Sequence, residues 1–204
     1  MILGVTGGLG CGKSSAAAFF EKRGFSRLDS DAIVRERALT DPGVCAALRA
    51  RYGDGVFSAG GAVDRSALAS RVFVDDTERL FLESITHPIV FAAWREALTS
   101  GPGLNWVIET PLLFEKDLEN WFDFTVCVAC SSVQQFVRLE QRGLSRELAR
   151  QRISKQLPLA RKIELADFVL WNDGSLEFLE TEVNCLADAL AQAAPPQPPR
   201  GASY

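Results

Sequence analysis

Apolar residues along this chain occur either in short continuous runs or at helical spacing. The short runs predict strands at residues 2–6, 25–29, 104–109, 124–130 and 168–171. Helical spacing separates most of these runs, and residues 175–194 read as a closing amphipathic helix. Strands that alternate with helices predict a parallel sheet with helices on both faces, which is a three-layer α/β fold. Such folds bind ligands at the carboxyl ends of their strands.

A long middle stretch, residues 41–100, has no run typical of a parallel strand. Apolar residues recur there at helical spacing over 42–52, 64–73 and 76–98. The Gly-Pro-Gly sequence at residues 101–103 then breaks the helix. We therefore predict a core formed by residues 1–38 and 101–194, a helical lobe at residues 39–100 and a disordered, Pro-rich tail at residues 195–204.

The first predicted strand runs directly into a phosphate-binding pattern. Residues 7–14 read Gly-Gly-Leu-Gly-Cys-Gly-Lys-Ser and match G-x-x-x-x-G-K-S/T, with a good helix former following. The glycines let backbone N–H groups hold a polyphosphate, Lys13 reaches the β- and γ-phosphates, and Ser14 offers its hydroxyl to Mg²⁺. The pattern predicts binding of ATP and Mg²⁺ through Gly7, Gly8, Gly10, Cys11, Gly12, Lys13, Ser14 and Ser15.

The residues at the strand ends favour a kinase over a switch GTPase. The second half of the chain has no Asn-Lys-x-Asp element for guanine. A kinase needs a carboxylate that takes or orients the proton of the acceptor hydroxyl. Asp31 follows the second strand and could do this, with Arg35 one helical turn further on, although Asp31 could also act only as a helix cap. Glu109, at the end of the third strand, could hold Mg²⁺ through water or could simply be solvated.

Basic residues are concentrated after the fourth strand. Arg138 and Arg142 lie one helical turn apart and begin a segment, about residues 138–165, that resembles a lid over a phosphate site. Some of the other cations in this segment are expected to be ordinary surface charge. Arg138 and Arg142 are our candidates for contacts with the transferring phosphoryl group.

Composition limits the classes of partner and the compartment. The 204 residues are 47% hydrophobic and 24% charged, and the net charge of −4 disfavours nucleic-acid binding through a basic surface. We expect no membrane span and no secretory leader, and hence a cytoplasmic protein. The five cysteines fit reduced thiols, and we interpret Cys127 and Cys130 as core residues rather than a redox or metal pair. Cys11 is the thiol whose modification is expected to affect function.

Taken together, these motifs resemble the dephospho-coenzyme A kinase family nearly from end to end. The resemblance lies in the loop at residues 5–15, in Asp29-Ser30-Asp31 with Arg35, and in several elements of the later chain. Those later elements are Asp64-Arg65, Thr86-His87-Pro88, residues 111–115, Arg138 with Arg142, Arg152 with Gln156, Ala166-Asp167, and Asn172 with Gly174. The ordered set of His87-Pro88, residues 111–115 and Asn172-x-Gly174 is the most specific part.

The resemblance implies transfer of the γ-phosphoryl group of ATP to the ribose 3′-hydroxyl of dephospho-coenzyme A, with Mg²⁺. It implies that Asp31 is the general base, that Arg142 closes over the phosphates and that Asn172 lies near adenine. It also implies that the helical lobe at residues 39–100 binds the acceptor. Arg35, Arg65, His87 and Pro111 would contact the acceptor, although His87 could equally be a packed core residue. A monomer or weak homo-oligomer is expected. The alternatives are another P-loop kinase for a nucleoside or nucleotide, and a non-catalytic nucleotide-binding protein.

Overall fold

The computed structural model of the chain describes residues 1–72 and 75–192, so the predicted tail at residues 195–204 lies outside the described residues. The strands are β1 (Ile2–Gly7), β2 (Ser26–Asp29), β3 (Trp106–Glu109), β4 (Phe124–Ala129) and β5 (Phe168–Trp171). The α-helices are α1 (Lys13–Lys22), α2 (Ser30–Glu36), α3 (Pro42–Tyr52), α4 (Arg65–Val72), α5 (Asp76–Ser100), α6 (Ser132–Gln141), α7 (Arg146–Ser154), α8 (Leu159–Leu165) and α9 (Leu176–Gln192). None of the helices in these described ranges is both long and apolar enough to cross a bilayer.

Two compact units make up the chain. The first contains Met1–Asp29 and the chain from Gly103 onward, and the second is Ser30–Pro102. The division places α2 with the helices of the second unit. The predicted functional boundaries, at residues 38/39 and 100/101, stay a prediction.

All five strands of the first unit form one parallel sheet in the order β2-β3-β1-β4-β5. The predicted α/β class is therefore confirmed. The third strand begins at Trp106, two residues later than the sequence pattern predicts. Trp106 pairs with Ile2, the first residue of β1, so residues 104 and 105 have no strand position opposite them in β1.

Helices cover both faces of this sheet. Leu3 and Val5 of β1 are fully buried in a core with Phe20 of α1 and Leu179 of α9. Gly4 points to the other face, where an added Cβ would lie 2.7 Å from the side chains of Leu113 and Phe122. On this second face the backbone oxygen of Pro111 accepts hydrogen bonds from both Thr6 of β1 and Lys162 of α8. The helices α1 and α9 thus form one outer layer, and α8 belongs to the other.

The second unit is built from helices. Helical spacing places apolar residues on facing sides of α3, α4 and α5, and these residues form the core together with the short 3₁₀ turn at Gly53–Val56. The core residues include Val44, Leu48, Val56, Leu68 and Val72. Asp41 begins α3 because its carboxylate accepts hydrogen bonds from the backbone N–H groups of Gly43 and Val44. The 25-residue helix α5 continues through Pro88.

A charge cluster on α3 and α5 of the second unit gives its stability a pH dependence. Glu78 accepts hydrogen bonds from Arg51 and Tyr52, which lowers the pKa of Glu78 from 4.5 to about 2. Because the folded-state pKa is depressed, this stabilisation is present above pH 4.5 and is lost as the pH falls towards 2.

We expect the thermal midpoint of the wild type to fall more steeply over this range than that of Glu78→Gln. Glu96→Gln, which breaks the exposed pair with Arg37, is the matched control and should follow the wild type. Parallel curves for the wild type and Glu78→Gln would contradict this assignment.

Candidate active site

The phosphate loop lies between β1 and α1, in a conformation that needs glycine. Gly7 and Gly12 have φ angles of 140° and 102°, which residues other than glycine rarely adopt. An added Cβ would lie 2.1 Å from the backbone oxygen of Val128 at Gly7, and 2.3 Å from Asn172 Nδ2 at Gly12. The neighbouring strands and loops therefore leave no room for a side chain at Gly7 or Gly12.

Lys13 curls back over this loop. Its side chain is buried, and Nζ donates hydrogen bonds to the backbone oxygens of Gly7 at 3.3 Å and Gly8 at 3.0 Å. The loop thereby holds an ammonium group beside the backbone on which a polyphosphate binds in proteins with this pattern.

Oxygen ligands suitable for a divalent cation meet at the end of β3. Ser14 Oγ donates a 2.6 Å hydrogen bond to Glu109 Oε1, and Arg27 donates to the other carboxylate oxygen at 3.2 Å. Glu109 is buried, so the alternative of a solvated carboxylate is wrong. Mg²⁺ prefers oxygen ligands and usually keeps waters and substrate phosphates in its shell. The Ser14 hydroxyl and the Glu109 carboxylate therefore fit this ion. The described residues contain no group of three or more His, Cys, Asp or Glu that could hold a metal ion by themselves.

Three polar side chains from later elements support the loop from outside. Gln135 of α6 donates a 2.7 Å hydrogen bond to the Leu9 oxygen, and Asn172, after β5, donates a 2.8 Å bond to the Cys11 oxygen. Arg138 donates to Asn172 Oδ1 at 3.3 Å, while its second terminal nitrogen, Nη1, is buried and has no hydrogen-bond partner among the described residues. Gln135 was missed by the sequence reasoning, because its spacing suggested only a helix start. Within residues 1–72 and 75–192, Arg138 thus offers an unsatisfied donor beside the loop.

Arg142 has a different environment. It follows the last residue of α6, its side chain is exposed, and its backbone N–H donates to the oxygens of Arg138 and Leu139. The helix itself begins as predicted, since Ser131 caps it by accepting from the Gln134 N–H. Helix α8, at the end of the predicted lid over residues 138–165, packs on β1 and β4. The extent of this lid stays a prediction.

A buried ion pair joins α8 to the segment after β3. Lys162 is fully buried and donates a 2.7 Å hydrogen bond to the Pro111 oxygen and forms a 2.8 Å ion pair with Glu115. Glu115 also accepts from the Leu157 N–H at 2.8 Å. From the sequence, Lys162 is one of the cations after Arg142, some of which are expected to be ordinary surface charge. A lysine next to an arginine in a basic segment carries no local signal of burial.

Four of the predicted site residues belong to the second unit. Asp31 lies in the first turn of α2, which begins at Ser30. Arg35 follows one turn later, and both side chains are exposed. Arg65 begins α4, and the His87 ring of α5 lies 5.7 Å from the Phe91 ring. The roles expected of these four residues stay predictions.

The parallel sheet and the phosphate loop define the class of P-loop nucleotide-binding proteins. Comparison with known proteins narrows this class, because the family model for dephospho-CoA kinase matches residues 1–177. The chain belongs to the dephospho-CoA kinase family. It is 41% identical over 184 residues to a dephospho-CoA kinase of Thermosynechococcus vestitus, covering 89% of this chain and 91% of that protein. A dephospho-CoA kinase of Geobacillus kaustophilus is 37% identical over 193 residues, covering 92% and 94%.

Solved structures share the fold of this chain. The crystal structure of TT1252 from Thermus thermophilus superposes with a TM-score of 0.81 at 35% identity, covering 95% of this chain and 98% of that one. Shikimate kinase from Aquifex aeolicus has a TM-score of 0.52 at 16% identity, covering 95% and 100%, and shares the fold alone. The predicted family and the P-loop kinase fold are confirmed.

Proposed function

We propose that this protein transfers the γ-phosphoryl group of ATP to the ribose 3′-hydroxyl of dephospho-coenzyme A, giving coenzyme A and ADP. The observation that carries this proposal is membership of the dephospho-CoA kinase family over residues 1–177. The alternative, another P-loop kinase for nucleosides or nucleotides, has no observation in its favour. The same family match argues against a non-catalytic nucleotide-binding protein.

The donor half of the reaction rests on the loop and its supports. Lys13, held against the loop oxygens, supplies positive charge to the β- and γ-phosphates. The buried Arg138 Nη1 donor, which has no partner in the described part of the chain, would find an acceptor in a phosphate oxygen, and this would remove the cost of an unsatisfied donor. Arg142, exposed at the end of α6, would contact the transferred group when the lid closes.

Ser14 and Glu109 are the residues that would hold Mg²⁺, Ser14 directly and Glu109 directly or through water. The bound ion would neutralise charge on the β- and γ-phosphates. Until it binds, the Ser14 hydroxyl is held by Glu109, so the two ligands are already oriented towards one another.

On the acceptor side, Asp31 would take the proton of the 3′-hydroxyl, with Arg35, Arg65 and His87 binding the rest of the acceptor. Pro111 would contribute through its ring or through the placement of its backbone, because its backbone oxygen already accepts hydrogen bonds from Thr6 and Lys162. We propose a cytoplasmic monomer or weak homo-oligomer as the working form. The five cysteines, free in the structure, fit a reducing compartment.

An acceptor assay tests the reaction. Purified protein, ATP and Mg²⁺ are incubated with dephospho-coenzyme A or with nucleoside monophosphates, and ADP and the phosphorylated product are separated by chromatography. We expect equimolar ADP and coenzyme A with the first acceptor and no turnover with the others. Lys13→Ala serves as the control for contaminating kinases and should be strongly impaired, since it removes the cation at the phosphates. Turnover only with a nucleoside monophosphate would overturn the acceptor assignment.

A further inference from the structure

Two cysteine thiols meet beneath the phosphate loop. Cys11 lies within the loop and Cys130 directly follows β4, and their sulfur atoms are 3.3 Å apart. Both side chains are buried, at 0% and 3% exposure. A disulfide has an S–S length of about 2.05 Å, so the two sulfurs need to approach by only about 1.2 Å to bond.

The surroundings make the two thiols chemically unequal. Cys130 donates its S–H to Cys11, and this hydrogen bond, with the positive charge of Lys13, lowers the pKa of Cys11 from 9.0 to about 7 despite burial. Burial raises the pKa of Cys127, the other cysteine of the C-x-x-C pattern, to about 12. The nucleophile of this cluster is therefore Cys11, and its neighbour is Cys130 rather than a partner within C-x-x-C.

We propose that Cys11 and Cys130 form a reversible disulfide that shuts off nucleotide binding at the phosphate loop. This inference rests on nucleotide binding by residues 7–14 and not on the identity of the acceptor. The thiol pair joins the donor site to the junction between β4 and α6, so oxidation acts on the same loop that holds ATP.

Hydrogen peroxide is small enough to serve as the oxidant during brief openings of the loop. The Cys11 thiolate attacks one peroxide oxygen, the O–O bond breaks, and the products are a sulfenic acid at Cys11 and hydroxide. Cys130 then attacks the sulfenic sulfur, and its thiol proton leaves with the departing oxygen as water. In sum, two thiols lose two electrons and two protons, and one peroxide becomes two waters.

The disulfide weakens nucleotide binding because Cys11 is fixed on several sides. Its backbone N–H donates to the Gly8 oxygen at 3.2 Å, and its own oxygen accepts from Asn172 at 2.8 Å. It also lies between Gly10 and Gly12, both in left-handed conformations. Drawing the Cys11 side chain about 1.2 Å towards Cys130 shifts backbone N–H groups that would hold the phosphates. Binding through such a loop depends on the placement of these groups.

The test uses the full chain treated with hydrogen peroxide, quenched and divided in two. Peptide mapping of one half is expected to give a linked peptide with Cys11 and Cys130, two hydrogen masses lighter than the two thiol peptides together. A fluorescent ADP analogue titrated into the other half should bind at least tenfold more weakly, with affinity restored by dithiothreitol. A protein that binds the analogue but does not phosphorylate dephospho-coenzyme A would contradict the proposed function, whereas the disulfide proposal would still be tested by the change in affinity for the analogue.

Matched variants separate this pair from the other thiols. Cys45→Ser with Cys185→Ser removes a half-buried and an exposed thiol and should respond to peroxide as the wild type does. Cys130→Ala should bind the analogue normally and give no linked peptide after peroxide treatment. The proposal is overturned if peroxide oxidises Cys185 in the wild type without linking Cys11 to Cys130, or if the linked protein binds the analogue with unchanged affinity.

Discussion

Asp31→Asn is expected to lower kcat for dephospho-coenzyme A phosphorylation by about 10²-fold or more, the scale on which loss of a general base acts. Asparagine keeps the size of the side chain but cannot take the proton of the acceptor hydroxyl. ATP binding should persist, since Lys13 and the loop belong to the other unit of the chain. Steady-state kinetics with both substrates, and an equilibrium titration with the fluorescent ADP analogue, separate the two effects.

Asp54→Asn is the control for this variant. Asp54 is an exposed carboxylate of the same unit that pairs with Arg49, so its replacement keeps the change of charge without touching the predicted acceptor residues. Its kcat should match that of the wild type. Unchanged turnover in Asp31→Asn would remove Asp31 from the mechanism, whereas loss of ATP binding would indicate a structural role instead.

The sheet could be predicted because each of its strands has a local signal. Residues 124–130 are apolar except for Thr125, and residues 168–171 are apolar throughout. Such short apolar runs are typical of strands in a parallel sheet, and they form β4 and β5 in the structure. The phosphate loop was recognisable for the same reason, since its function requires glycines and a lysine at fixed spacing within eight residues. Helix α3 begins at a proline after an aspartate cap and could be bounded from these residues.

The supports of the site could not be predicted in this way, because they depend on contacts between distant parts of the chain. Gln135 bonds a loop oxygen 126 positions earlier, and Cys130 meets a thiol 119 positions earlier. Nothing in the sequence near either residue records the register of β4 against β1 that brings them there. Asn172 illustrates the same limit, because the family resemblance marks it without revealing that its amide holds the loop.

Lys162 provides the second large effect. We expect Lys162→Met to reduce the free energy of unfolding by about 3 kcal/mol, because removing one partner of a buried ion pair leaves the other charge uncompensated. Glu115 would keep only its bond from the Leu157 N–H, and the Pro111 oxygen would lose the donor that lies 2.7 Å away. Urea unfolding followed by circular dichroism measures this change, which should appear as a lower midpoint with an unchanged slope.

Lys22→Met tests whether burial, rather than the ion pair itself, determines this cost. Lys22 and Glu180 form an ion pair of the same 2.8 Å length, but their side chains are 64% and 36% exposed, against 0% and 15% for Lys162 and Glu115. An exposed pair contributes about 0–1 kcal/mol, so this variant should unfold close to the wild type. Adding Glu115→Gln to Lys162→Met removes the uncompensated charge and should recover part of the loss. Equal losses in Lys22→Met and Lys162→Met would show that desolvation around α8 does not control the stability of this pair.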